Sequence, residues 1–120
     1  MQKFVFILPE DKRWMAESTL DAIRTSNYSL ETAMEINTTA LIKEHAETAT
    51  QDSLIDGHTY AIFSFSPMAT RIRGNKQTAY AGEVYLISLT WDAKVGQFYC
   101  RNAWGGINYY PVKSGMLLVE

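Results

Sequence analysis

From Thr59 onward, apolar stretches are separated only by short turn signals, and no gap between them is long enough to hold a crossover helix. The signals are Pro67, Gly74-Asn75, Asp92–Gly96, Gly105-Gly106 and Ser114-Gly115. Parallel neighbours need a connection of about a dozen residues or more, whereas antiparallel neighbours need only a few, so the short connections here favour antiparallel hairpins and a meander. The expected strands are 59–66, 77–91 with a bend at Gly82, 97–104, 107–112 and 116–119. Within 77–91, Tyr85, Ile87, Leu89 and Trp91 share one face and Val84, Leu86, Ser88 and Thr90 share the other. Both faces are fairly apolar, so both need cover. Helices suit one side, and a partner, a second sheet or a curled edge of the same sheet suits the other.

The first half reads differently. Phe4 to Leu8 is short, β-branched and aromatic, apolar on both faces, and fits a central strand. Pro9 suits a first helical turn, and Glu10 and Asp11 place negative charge where the helix dipole favours it. A helix over 9–25 follows, with Met15, Ala16, Thr19, Leu20 and Ile23 forming one buried stripe. Asn27-Tyr28-Ser29 offers an N-cap for a second helix reaching about Gln51, in which Leu30, Met34, Asn37, Leu41 and His45 lie along one face. The period-two alternation of Met34, Ile36, Thr38, Ala40 and Ile42 makes a strand over 34–42 its competitor. Asp56-Gly57 closes the segment as a turn.

The expectation is one α+β domain over 1–120. An N-terminal strand and one or two helices (1–58) pack on a mainly antiparallel C-terminal β-meander (59–120). A chain of this length can bury a core without staples. The lone Cys100 rules out an internal disulfide and fits a reducing compartment, hence the cytoplasm. Pro9-Glu10-Asp11 cuts the first apolar run short of a signal-peptide core or membrane span.

Charge divides with the fold. Residues 1–60 carry 5 Lys/Arg against 10 Asp/Glu and residues 61–120 carry 6 against 3, so the halves stand at −5 and +3. Ten of the fifteen aromatics fall in the second half. The net −2 gives no whole-molecule attraction to nucleic acid or membrane, so any anion site must be local. Arg71, Arg73 and Lys76 flank the Gly74-Asn75 turn, where guanidinium forks and loop amides could grip phosphate or carboxylate. The ordinary alternative is a solvated hairpin tip. Gly74-Asn75-Lys76-Gln77-Thr78 lacks the spacing of a phosphate loop. Trp104-Gly105-Gly106, followed by Tyr109 and Tyr110, sets rings on both sides of a turn that lets a backbone approach closely, and Arg101 lies just before it. Most of the remaining aromatics are expected in the core.

Catalysis has little to draw on. Cys100 sits mid-strand, away from a helix start or elbow that would activate it, and His45 and His58 have no paired metal-ligand spacing. Glu31, Glu35, Glu44 and Glu47 read as the solvated face of a helix rather than an acid/base pair. No segment matches a family motif, and no cofactor or metal is implied. The expectation is a small non-enzymatic module, an inhibitor or regulator that binds a protein through an acidic helical face and an aromatic, basic β surface. Its site residues would be Arg71, Arg73, Lys76, Arg101, Trp104 and Tyr109. A nucleotide or single-stranded nucleic acid on Arg71, Arg73, Lys76 and exposed aromatics is the alternative. A Cys/His enzyme is a remote third. A homodimer through 116–119 as a free edge strand is a further expectation.

Overall fold

In a computed structural model the chain forms one sheet of seven mostly antiparallel strands with, among the described residues, one α-helix. The structure describes residues 4–26, 42, 44–73, 76–113 and 116–119, with side chains at all of these except 4, 67–73 and 76–83. In chain order the elements are β1 (Phe4–Pro9), α1 (Arg13–Thr25), β2 (Ala46–Thr48), β3 (Thr59–Arg73), β4 (Lys76–Asp92), β5 (Gln97–Arg101), β6 (Ile107–Pro111) and β7 (Leu117–Val119). The strand order is β2-β7-β1-β3-β4-β5-β6. This agrees with the α+β class and the antiparallel sheet expected from sequence.

Alternation along the strands builds two cores. Phe6 and Leu8 of β1 join Ala61, Phe63 and Phe65 of β3 beneath Met15, Ala16, Leu20 and Ile23 of α1. Three phenylalanine rings, Phe6, Phe63 and Phe65, stand with centroids 5.1–6.5 Å apart at its centre. The helix buries the stripe that its spacing predicts, and the Thr19 hydroxyl is satisfied by donating to the Met15 carbonyl at 2.9 Å. Arg13 Nη1 donates to Ser88 Oγ at 2.7 Å and ties the helix to β4. The residues of opposite parity, Val5 and Ile7, Tyr60 and Ile62, Leu89 and Trp91, form the second core with Phe98, Ala49, Leu54 and Leu118.

A curled edge covers that second face. β6 and β7 are five positions apart in the strand order, a flat separation of roughly 24 Å at about 4.8 Å per strand. The six chain steps from Pro111 to Leu117 can span at most about 20–22 Å even fully extended. The sheet therefore has to bend, bringing β6 back toward β1. Val112 and Met116, on the segment that crosses the gap, pack on the second core from above.

Several expectations are corrected. Pro9 is the last residue of β1, and a 3-10 turn over Glu10–Lys12 precedes α1, so the α-helix starts at Arg13. The second helix and its competing strand fall largely on residues 27–41, outside the described residues. Ile42 and Glu44 are helical, but Ala46–Thr48 form a strand and Gln51–Ser53 a 3-10 turn, so no helix runs to Gln51. β-branched Thr48 and Thr50 suit an extended edge beside β7, and Thr50 and Ser53 then cap each other.

Pro67 is not a turn, because β3 continues to Arg73. The ladder shifts register there, leaving Met68 and Gly82 without opposed residues, and an irregularity of this kind is where a strand tolerates a residue with no N–H. The bend expected at Gly82 is this same site. The strand expected over 97–104 ends at Arg101. The meander is real from β3 to β6, but β7 leaves it and inserts between β1, to which it is parallel, and β2. It is not a free edge strand.

Candidate functional site

The long β3–β4 ribbon and the short β5–β6 hairpin hold the expected site residues at two separate places. At the closed end of the ribbon, Arg73 is opposite Lys76 and Arg71 opposite Thr78, so the three basic positions are neighbours in the ladder; their side chains lie outside those described. At the other end of β4, Thr90 pairs with Tyr99, which pairs in turn with Tyr109. From Thr78 to Thr90 is about 40 Å of strand at about 3.3 Å per residue. Arg101, Trp104 and Tyr109 belong to the same β5–β6 hairpin, where Arg101 and Tyr109 line one depression, and Arg71, Arg73 and Lys76 stand apart from them.

The β5–β6 turn is built by Asn102. Its Oδ1 accepts hydrogen bonds from the backbone N–H groups of Trp104 at 3.0 Å and Gly106 at 2.9 Å, and its own N–H donates to the Gly106 carbonyl at 3.0 Å. Gly105 adopts φ +81°, a conformation open to glycine, and a Cβ on Gly106 would stand 2.9 Å from Asn102 Nδ2. The turn holds the Trp104 backbone in place while its ring is 92% exposed. We predict that Asn102→Ala costs about 1–2 kcal/mol through the two lost acceptor bonds. Amide exchange should accelerate at Trp104 and Gly106 while the protection of β1 and β3 is unchanged; unchanged exchange in the turn would refute the role of Asn102.

Strand alternation puts Tyr99, Arg101, Ile107 and Tyr109 on one outward face. They line an open depression of about 420 Å³ with Asp56, Gly57, Asp92 and Lys94. Its far wall is held by backbone bonds: Gly57 N–H donates to the Trp91 carbonyl and Asp56 Oδ1 accepts from Ala93 N–H, both at 2.9 Å. Asp92 Oδ1 accepts from Lys94 and Val95, fixing the β4–β5 turn. Two cations and two carboxylates therefore ring a patch of rings and aliphatic surface. Ile107 and Tyr109 remain about half exposed, at 47% and 48%. Every residue of β6 is exposed, and among the described residues β6 pairs with β5 alone.

Sequence reasoning named Arg101, Trp104 and Tyr109 but missed Tyr99, Ile107, Asp56, Asp92, Lys94 and Asn102. Alternation within 97–101 and 107–111 carried the signal for Tyr99 and Ile107. Asn102, two residues before Trp104 and four before Gly106, has the side-chain chemistry of a turn acceptor. Nothing local links Asp56 to the β4–β5 turn.

His45 and His58 are exposed, and Cys100, a free thiol, is half-buried on the concave face. Among the described residues no group of three His, Cys, Asp or Glu side chains could hold a metal ion. Also among them, no helix is long and apolar enough to cross a membrane. The fold and this surface define a small α+β chain that presents an aromatic edge hairpin. No protein-family model, curated protein or solved structure matches the chain.

Proposed function

We propose that the chain is a small non-enzymatic binding module that docks a protein partner on the outer face and open edge of the β5–β6 hairpin. The observation that carries this reading is the set of rings and aliphatic groups left exposed there: Trp104 at the tip, Ile107 and Tyr109 on the outer face, beside an edge strand exposed throughout. Aromatic side chains and arginine are the usual energetic anchors of protein interfaces, and an unpaired edge can accept an added strand from a partner. The mixed charge of Asp56, Asp92, Lys94 and Arg101 suits the polar rim of a protein contact better than the uniformly positive track that nucleic acid requires.

The acidic helical face contributes less to this reading than the sequence implies. α1 and the turn before it carry Glu10, Asp11, Glu17 and Asp21 against Lys12, Arg13 and Arg24, which is nearly balanced. Glu44 and Glu47 are exposed, and Glu31 and Glu35 lie outside the described residues. The nucleotide alternative needs the basic ribbon end and the aromatic hairpin to grip one ligand, and the register keeps them far apart.

Capture of a stoichiometric protein partner by the immobilised chain tests the proposal. Trp104→Ala with Tyr109→Ser should weaken capture by about thirtyfold or more, the size of a hot-spot loss, while Arg71→Glu with Arg73→Glu leaves it intact. The opposite pattern, with steep salt dependence, would transfer the function to the basic ribbon end and to nucleic acid. Recovery of only a second copy of the chain would reduce the reading to self-association.

A further inference from the structure

The β3–β4 ribbon runs past the rest of the sheet. β1 pairs with β3 no further than Phe65, and β5 pairs with β4 only at 90–92, so among the described residues 67–73 and 76–81 pair with each other alone. They form a two-stranded arm about 20 Å long, at about 3.3 Å per residue. The molecule measures 52 × 33 × 24 Å, an elongation consistent with such an arm. A two-stranded ribbon is at best marginally stable alone in water, so a surface that packs on it adds to its stability.

The ladder gathers charge on one face of the arm. Arg73 is opposite Lys76, Arg71 opposite Thr78 and Ala69 opposite Tyr80. Opposed residues, and residues two apart on a strand, share a face, so Arg71, Arg73 and Lys76 lie together with Thr78. Thr70, Ile72, Gln77 and Ala79 take the other face. Residues 67–82 hold these three cations and no Asp or Glu, so with the whole chain at −2 the remainder stands at −5. A basic stripe along one face is the electrostatic footprint of a nucleic-acid binder, and an acidic body turns the arm rather than itself toward a polyanion.

Shape selects among polyanions. The major groove of B-DNA, about 12 Å wide, admits a two-stranded β-ribbon, whereas that of A-form RNA is too deep and narrow for side chains to read. We propose that the β3–β4 arm binds duplex DNA in the major groove, with Arg71, Arg73 and Lys76 supplying the charge that meets the phosphates. Phosphate contacts position a protein without reading sequence, so the binding is sequence-tolerant. It needs only the arm, which stands about 40 Å of strand from the β5–β6 hairpin, and it does not depend on a protein partner docking there.

Fluorescence anisotropy of the intact chain with a short, labelled, mixed-sequence DNA duplex provides the test. Three phosphate contacts give a log–log salt slope of about −2.7, so raising salt about fourfold should weaken binding roughly fortyfold. Arg71→Gln with Arg73→Gln should reduce the slope to about −0.9, and Lys76→Gln alone to about −1.8. Arg24→Gln with Lys113→Gln makes the same change in net charge as the double arginine variant, at exposed positions away from the arm, and should leave the slope as it is. Circular dichroism checks that each variant is folded, and the single Lys76 variant carries the test if the double one is not. Absence of saturable binding overturns the proposal, as does an equal loss in the Arg24 and Lys113 variant. Equal affinity for an A-form RNA duplex, for single-stranded DNA or for polyglutamate overturns the groove-bound duplex as the occupant.

Discussion

Phe98→Ala is expected to lower the unfolding free energy by about 3–5 kcal/mol, the range for truncating a buried aromatic. For a chain of this length the whole stability is roughly 6–18 kcal/mol, so the loss is a large share of it. Phe98 is 1% exposed and meets Trp91 edge-on at 4.9 Å and Tyr60 at 6.1 Å. The location magnifies the effect. β5 joins β4 through only three residue pairs, Thr90 with Tyr99, Trp91 with Phe98 and Asp92 with Gln97, so the hairpin rests on this aromatic contact more than on its ladder. Urea denaturation should show the reduced midpoint, and hydrogen exchange should show 97–111 losing protection before β1 and β3. If the variant kept wild-type stability, the hairpin would be held by something other than the Trp91–Phe98–Tyr60 cluster. The same variant should also weaken partner capture, because the outer face is carried on the strand it loosens.

Val119→Asp is expected to prevent stable folding. Val119 is 1% exposed, packs in the core beneath α1, and sits on a strand with neighbours on both sides. An ionised carboxylate there would be buried with no cation beside it among the described core residues, at a cost of several kcal/mol. Ile107→Asp, on the exposed edge strand β6, should change stability by no more than about 0.5 kcal/mol. Thermal melting followed by circular dichroism separates the two. A cooperative transition in Val119→Asp close to that of the wild type would mean that β7 is the free edge its sequence suggests, and that its placement between β1 and β2 is wrong.

Much of the local architecture was legible in the residues. The stripe of Met15, Ala16, Thr19, Leu20 and Ile23 is the buried face of α1, and Tyr85, Ile87, Leu89 and Trp91 do share the concave face of β4. Gly57, Gly96 and Gly105 sit at positive φ in turns that composition marks. Each of these rests on periodicity or on the steric freedom of one residue, and both act within a few positions of chain. The candidate surface was half legible. Trp104 and Tyr109 stood out because rings on both sides of a glycine turn often form contact surfaces, but their exposure, against the burial of Trp91 and Phe98, could not be read from side chains of the same chemistry.

What the sequence by itself determined was the kind of element each segment forms and which residues share its faces. Only the tertiary structure decided which strands become neighbours. Backbone hydrogen-bonding groups are the same at every non-proline residue, so nothing in Leu117–Val119 records that it pairs in parallel with β1 rather than standing at an edge. That choice, made by burying Leu118 and Val119 in opposite cores, forces the chain to cross back from β6 and curls the sheet. The curl opens a cavity against Ile62, Ile87 and Leu89 of the sheet, while the length of β4 separates Arg71, Arg73 and Lys76 from Arg101 and Trp104. Periodicity acts locally and is written in the residues; proximity between distant segments is settled by the burial of the whole chain at once.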